Sequence, residues 1–311
     1  MAADVVALFG PTAVGKTEVA IALAELLRER GELPVAVSAD AFQVYEGLDV
    51  LSAKPDAGER ERLEHRLISF VPLEEEYSVA QFAERAHAEI DTLLAEGARP
   101  MVVGGTGLYL RAALTDLDLK PAPAPGLREE LEREVAELGL QALHAQLPTE
   151  VGNAVHPNDR KRIIRALELE RMGERAWETS EQLWSESLRR PSALFGIVID
   201  REQLGERIER RVERMLAGGA VEEVEIALER GVSRTAAKAI GFAEIAAHLR
   251  GSATLAEAGE RIARRHRQYA KRQLTWMRKL PGVELIDRTG LDANAVAATV
   301  IERRAGRVRL P

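Results

Sequence analysis

The stretch VVALFGPTAVGKTEVAIALAELL, residues 5–27, constrains the fold more than any other part of the chain. A short apolar run reads as a buried strand, Gly10-Pro11-Thr12-Ala13-Val14-Gly15-Lys16-Thr17 as a glycine loop, and residues 16–30 as a helix stopped by Gly31. Strand, loop and helix in that order is the setting in which G-x-x-x-x-G-K-[ST] forms a phosphate cradle of the ATP-binding type. The glycines let backbone N–H groups converge on phosphate oxygens, and the start of the helix adds its partial positive charge. Lys16 supplies a mobile cation, and the Thr17 hydroxyl is placed to ligate Mg2+. The loop leaves open what hangs from the phosphates.

The surrounding pattern places this loop in an α/β core. Residues 34–40 (PVAVSAD) and 100–103 read as further strands, the second ending in Gly104-Gly105-Thr106-Gly107. Residues 78–96 read as a helix opened by a Ser78–Gln81 capping box and closed by Gly97. Alternating strands and helices imply a P-loop NTPase-like parallel sheet. Ligands bind such sheets at the carboxyl ends of the strands, which puts the P-loop, Asp40 and residues 104–107 on one rim. KPAPAPG (120–126) then reads as an extended connector. Beyond it the pattern is helical over Leu127–Leu138, 159–172 and 179–188, and RPSALFGIVID (190–200) restores strand character. The expected organisation is a catalytic core of residues 1–120 and 191–311 with a helical insertion at 121–190. Helices dominate 201–278, with Thr254 and Glu257 capping a long basic one, and GVELID (282–287) reads as a last strand before a helix and a basic tail.

Composition narrows the function. The chain has no cysteine, which removes disulfides, thiolate zinc sites and cysteine nucleophiles together. No apolar run approaches the roughly 20 residues needed to span a bilayer, and no leader pattern stands at the N-terminus. A cytoplasmic protein without a membrane partner is the simplest expectation. The net charge of −7 argues against a nucleic-acid partner, but the local field matters more than the total. RIARRHRQYAKRQLTWMRK (261–279) contains no acidic residue, and RKRIIR (160–165) is a second basic cluster.

Several residues carry two readings. Asp40 ends a strand facing the phosphates, as a magnesium-water ligand, a general base or a turn former. The 100–103 strand ends in glycines and offers no Walker-B aspartate, while Asp200 and Asp287 read as strand-end or cap residues. Thr106 offers a hydroxyl at the glycine turn. Arg207 and Arg211 share a helix face, as partners of Glu206, Glu209 or Glu213 or as a diphosphate clamp. Lys161, Arg162 and Arg165 form either a solvated face or a phosphate contact. In the long helix, Arg261, Arg264, Arg265, Gln268, Lys271, Arg272 and Thr275 point to phosphates more than to intramolecular pairing, and Trp276 and Met277 to the core. The six histidines form no metal-like cluster.

GPTAVGKTEVAIALA, SADAFQVYEGLDVLSAKP, VVGGTGLYLRAAL, HPNDRKRIIRALE, KAIGFAEI and RRHRQYAKRQLTWMRK together resemble the bacterial tRNA dimethylallyltransferases, the tRNA isopentenyltransferase (IPP transferase) family. The motifs run in the family's order over nearly the whole chain, and only the P-loop is widely shared. The resemblance implies a tRNA-modifying prenyltransferase. It would move the dimethylallyl group of dimethylallyl diphosphate to N6 of the adenosine 3′-adjacent to the anticodon, in tRNAs reading codons that start with U. Residues 12–17 would hold the diphosphate with Mg2+ as cofactor, Asp40 would take the N6 proton, Thr106 would contact the target nucleotide and Arg207 would stabilise the leaving group. Asp40, Ala41, Phe42, Gln43, Thr106, Arg128, Lys161, Arg162, Arg165, Gln268, Lys271 and Arg272 would contact tRNA, with the insertion gripping the anticodon stem-loop of a substrate bound by a monomer. Asp40-Ala41-Phe42-Gln43 stands where the family has Asp-Ser-Met-Gln, losing a hydroxyl and adding a ring able to stack on a base. Leu51-Ser52-Ala53-Lys54-Pro55 replaces Gly-Thr-Ala-Lys-Pro, and Gly241-Phe242 replaces Gly-Tyr. A prenyltransferase of free adenine nucleotides, a P-loop kinase and a non-catalytic RNA-binding module are the rival readings.

Overall fold

The computed structural model describes residues 4–174 and 183–306. They belong to two compact units, Met1–Asp116 with Glu186–Pro311, and Leu117–Ser185. The insertion expected at 121–190 compares with a second unit that begins and ends a few residues earlier.

The first unit opens with β1 (Val5–Phe9) and α1 (Lys16–Arg28), followed by β2 (Pro34–Ser38), two short helices α2 (Asp49–Ser52) and α3 (Ala57–Arg62), and β3 (His65–Arg66). α4 (Val79–Ala95), β4 (Arg99–Gly104) and α5 (Gly107–Leu114) complete its first half. The expected Ser78–Gln81 capping box is present at the start of α4. The second unit then contributes α6 (Leu127–Leu138), α7 (Leu140–His144), α8 (Thr149–Ala154) and α9 (Arg160–Arg171). Its own small core joins Leu131 and Val135 of α6 to Leu143, Val151, Ile163, Ile164 and Leu167. Of the helix expected at 179–188, residues 179–182 lie outside the described residues, and 184–188 are irregular. The chain returns to the first unit with β5 (Ser192–Val198), α10 (Arg201–Ala217), α11 (Ala220–Arg230), a 3-10 turn (Ala236–Lys238), α12 (Phe242–Leu249), α13 (Leu255–Lys279), β6 (Val283–Asp287) and α14 (Ala293–Gly306). The basic tail past residue 306 is outside the described residues.

The six strands form one parallel sheet in the order β3-β2-β4-β1-β5-β6. β1 and β2 are buried along their length, apolar but for Ser38, because both faces of a parallel sheet are covered by helices. One layer of the core packs Val6, Leu8, Phe195 and Ile197 of the sheet against Leu23 and Leu27 of α1 and Val296 and Val300 of α14. From β1 the chain crosses to the β2 side, and from β5 it crosses to the β6 side. The crevice at the carboxyl ends of these two neighbours is therefore a topological switch point, where open parallel sheets bind ligands. The P-loop leaves β1 at that place.

Candidate active site

The loop between β1 and α1 has the backbone form of an anion cradle. Gly15, the N-cap of α1, has φ +89° and brings no side chain to cap the helix, so the first-turn N–H groups remain available. The Lys16 ammonium folds back over the loop, donating to the carbonyls of Gly10 (3.1 Å) and Pro11 (3.0 Å). Burial pushes Lys16 down to about 8, opposed by the charge of Asp40 and reinforced by Arg211. Thr17 lines the same cleft, and its hydroxyl has no protein partner among the described residues.

Asp40 follows β2 after a single residue. Its Oδ1 accepts the Phe42 N–H at 2.9 Å, which fixes the turn and leaves the other carboxylate oxygen without a protein partner among the described residues. Thr106, at the start of α5, bonds on both sides. Its Oγ1 accepts the Ala41 N–H at 3.4 Å and lies 3.1 Å from the Tyr269 hydroxyl of α13. Burial, with Asp40 second, pushes the Tyr269 phenol up, so it stays protonated. Phe42 and Gln43 face the cleft, but the Gln43 amide is occupied: it accepts from Ser38 (2.9 Å) and donates to the Ala53 carbonyl (3.0 Å).

α10 supplies the opposing wall. The expected ion pairs of Arg207 and Arg211 do not form: among the described residues neither has a carboxylate within salt-bridge reach, and both line the cleft. Glu206 pairs with Arg210 (3.6 Å) and Glu209 with Arg267 (3.2 Å) instead. Burial lowers the pKa of both free arginines. For Arg211 the charge of Asp40 offsets part of that cost, whereas Arg207 lies nearer Arg288 and Glu18. The Arg211 Nε is buried with no hydrogen-bond partner. The cleft these groups enclose measures about 1050 Å3, and Leu51, Met215 and Ile240 give it an apolar stretch.

α13 is less free than its acid-free sequence implies. Arg265 makes a two-pronged bond to Glu244 of α12 (2.8 and 3.0 Å), and Arg267 takes Glu209 of α10. For Arg265, pairing across helices stands where a phosphate role was expected. Gln268, Lys271 and Arg272 remain exposed, with the Arg272 guanidinium 5.6 Å from the Tyr269 ring centre. Met277 is buried as expected; Trp276 is only partly so.

On the helical unit, Lys161 and Arg162 are exposed, and Arg162 meets Asp159 only at 3.5 Å. Arg128 and Arg165 converge on Glu168, which is 0% exposed, at 2.5 and 3.1 Å. Arg165 also donates to the carbonyls of Lys120 (3.2 Å) and Pro121 (2.6 Å).

The family model for IPP transferase matches residues 43–280. The chain belongs to the IPP transferase family. It is 39% identical to a tRNA dimethylallyltransferase of Acetivibrio thermocellus over 94% of both chains. It is 41% identical to one of Anaeromyxobacter dehalogenans, covering 98% of this chain and 99% of that one. Among solved structures it resembles the full-length tRNA isopentenylpyrophosphate transferase of Bacillus halodurans, with TM-score 0.70 and 33% identity over 98% and 99% of the two chains. A eukaryotic dimethylallyltransferase acting on tRNA gives TM-score 0.76 and 25% identity over 99% of this chain and 80% of that one.

In this IPP transferase family member the residue that the sequence left unread is Gln273. It is 3% exposed, and its Oε1 accepts the Thr12 N–H (2.8 Å) while its Nε2 donates to the Gly105 carbonyl (2.7 Å). The P-loop and the glycine turn after β4 are thereby tied to one amide. A signal was present: Ile262, His266, Ala270, Gln273 and Met277 fall on one buried helix face, and a polar residue on such a face needs partners. His266 shares that face and has neither ring nitrogen bonded. Burial, then the charges of Arg211 and Arg265, push it down to about 3, so it is neutral.

Proposed function

We propose that the chain transfers the dimethylallyl group of dimethylallyl diphosphate to N6 of the adenosine 3′-adjacent to the anticodon, in tRNAs reading codons that start with U, with release of diphosphate. The observation that carries this reading is one cleft holding an uncapped P-loop, Lys16, two arginines without ion pairs and the open carboxylate oxygen of Asp40.

The reaction forms an N–C bond and breaks an allylic C–O bond, so negative charge grows on the departing diphosphate. Backbone N–H groups of the loop receive it, those of Gly15, Lys16 and Thr17 first, since the N–H groups of Thr12 and Val14 are already bonded to Gln273 and Pro11. Lys16 swings from the Gly10 and Pro11 carbonyls onto a phosphate oxygen. Arg211 and Arg207 neutralise the same charge from the facing helix. Arg211, set beside Asp40 and Lys16, joins the catalytic set of Asp40, Thr106 and Arg207. Leu51, Met215 and Ile240 offer the apolar surface for the five-carbon group. The adenine leaves its stack to reach the cleft, which loop nucleotides do at little cost. Asp40 accepts the N6 proton as the new bond forms and the nitrogen becomes acidic. Thr106, anchored to Tyr269, holds the base beside it.

The donor set fits the magnesium ion that the family resemblance implies, because Mg2+ keeps several waters and takes one or two protein oxygens together with substrate phosphates. Thr17 would hold it, and it would neutralise charge on the diphosphate. On the RNA side, Ala41, Phe42 and Gln43 frame the target nucleotide, and Gln268, Lys271 and Arg272 contact the backbone. The helical unit grips the anticodon stem-loop through Arg128, Lys161, Arg162 and Arg165. The enzyme acts in the cytoplasm as a monomer.

Incubation with labelled dimethylallyl diphosphate and either tRNA or AMP tests the assignment. Label in tRNA alone is expected. Label in AMP points to a nucleotide prenyltransferase, and ATP consumption without labelled tRNA sinks the proposal.

A further inference from the structure

Arg288 follows β6, at the opposite end of the sequence from the P-loop, yet its guanidinium lies on the loop's outer side. Nη1 donates to the carbonyl of Val14 and, at 3.3 Å, to that of Gly15, while Nη2 meets the Glu18 carboxylate at 3.3 Å. The residue is 2% exposed, and a Cβ added to Gly15 would overlap Nη1. Glycine at position 15 thus serves two needs, the positive φ and the approach of this arginine.

The guanidinium arrives on a fixed stem. The Arg288 N–H donates to the Val198 carbonyl at 2.9 Å, continuing the β5–β6 ladder, and its carbonyl accepts the Leu291 N–H at 2.9 Å. Next to it, the Asp287 carboxylate accepts the N–H (2.8 Å) and hydroxyl (2.6 Å) of Thr289, whose Oγ1 accepts the Asp200 N–H at 2.9 Å. Such a placement costs desolvation, and the Nε of Arg288 is left buried without a partner. Two carbonyls are held in return. A trans peptide is planar with its C=O and N–H opposed. Drawing the Val14 and Gly15 carbonyls toward Arg288 turns the N–H groups of Gly15 and Lys16 the other way, and both residues line the cleft.

We propose that Arg288 is a positioning residue for the diphosphate site, latching the P-loop from behind so that its amides are preset for phosphate oxygens without itself touching the ligand. This rests on the diphosphate reading given above. The latch explains how a loop without a side-chain cap keeps one conformation, and it makes the end of the sheet part of the donor site.

Calorimetric binding of inorganic diphosphate with Mg2+, beside tRNA binding and a thermal melt, separates the cases. Outer partners that orient metal ligands are worth about 10–100-fold in affinity, and the same order is expected for a partner that orients phosphate-binding amides. Arg288→Ala is expected to raise the diphosphate Kd by about tenfold or more, with tRNA Kd within about twofold, and Arg288→Lys to recover part of the loss. A diphosphate Kd within about twofold of wild type in Arg288→Ala overturns the latch. Equal loss of diphosphate and tRNA binding in both variants overturns it too, since that marks a general loss of fold. A wild-type chain that binds no diphosphate overturns the functional reading instead.

Discussion

Arg162 and Arg165 sit one turn apart on α9, yet their replacement by alanine should give different results. Arg162 is exposed and meets only Asp159, at 3.5 Å. Losing such a surface contact should leave stability within about 0.5 kcal/mol. Arg165 holds Glu168, a carboxylate with no exposure, at 3.1 Å, and donates to two carbonyls of the connector. Removing one partner of a buried ion pair costs about 3–5 kcal/mol, because the remaining charge stays out of water. Arg128 still faces Glu168 at 2.5 Å, which sets the expectation at the low end, about 3 kcal/mol. Native-state hydrogen exchange of the α9 amides reads this locally, without assuming that the two units unfold together. Both arginines are proposed to meet RNA phosphates, so each loss should also flatten the salt dependence of tRNA binding by roughly 0.7–0.9 in the log–log slope. Arg162→Ala should therefore change the slope alone, and Arg165→Ala the slope and the exchange together. An unchanged slope for Arg162→Ala removes it from the RNA contact. Exchange in Arg165→Ala within about 0.5 kcal/mol of wild type refutes the claim that Glu168 depends on it.

Asp40→Asn keeps an acceptor for the Phe42 N–H and removes the base, so turnover should fall about 10²–10⁴-fold while donor binding persists; a change within about twofold removes Asp40 from the chemistry. Lys16 binds phosphate only as the ammonium, and its free pKa of about 8 lies below its ordinary value. The Kd of dimethylallyl diphosphate should thus be flat below about pH 8 and rise about tenfold per pH unit above it, a break that Lys16→Arg should abolish; a flat profile from about pH 6.5 to 9.5 contradicts this. Gln273→Leu strands the Thr12 N–H and leaves the Gly105 carbonyl only the Tyr269 hydroxyl at 3.4 Å, costing about 1–3 kcal/mol and lowering the melting temperature by roughly 3–10 °C; a melt unchanged within a degree would mean that water replaces the amide.

What the sequence made legible was local. α6 matches the expected bounds, and the capping boxes at Ser78 and Thr254 stand as read, because each depends on residues within a turn or two. The short helices α2, α3, α7 and α8 span four to six residues, too few for a periodic signal. The site was legible where one segment builds it, as in the P-loop. It was not where two distant helices decide a side chain's partner. Arg207 and Arg211 had glutamates within reach on their own helix, but the sheet rim draws them inward and Arg267 of α13 takes Glu209. Arg165 and Glu168 were an ordinary i, i+3 pair in sequence, and only the packing of α6 on α9 makes that pair a buried one.

The path between α5 and β5 has one further consequence. The main chain leaves the sheet unit just after Leu114 and is back by Arg189, and those two residues are bonded, N–H to carbonyl, at 2.8 Å. Asp91 of α4 grips the Arg189 guanidinium, and that bond, first among its causes, holds the Asp91 carboxyl near 2. The sheet unit thus shuts its own doorway. Whatever is threaded between the doorposts adds little closure entropy, since doubling a loop costs only about 0.6 kcal/mol. Residues 117–185 are in this sense an exchangeable tool on a fixed handle. A short turn in their place should leave the sheet folded, and another helical unit could be grafted there without redesigning the strands.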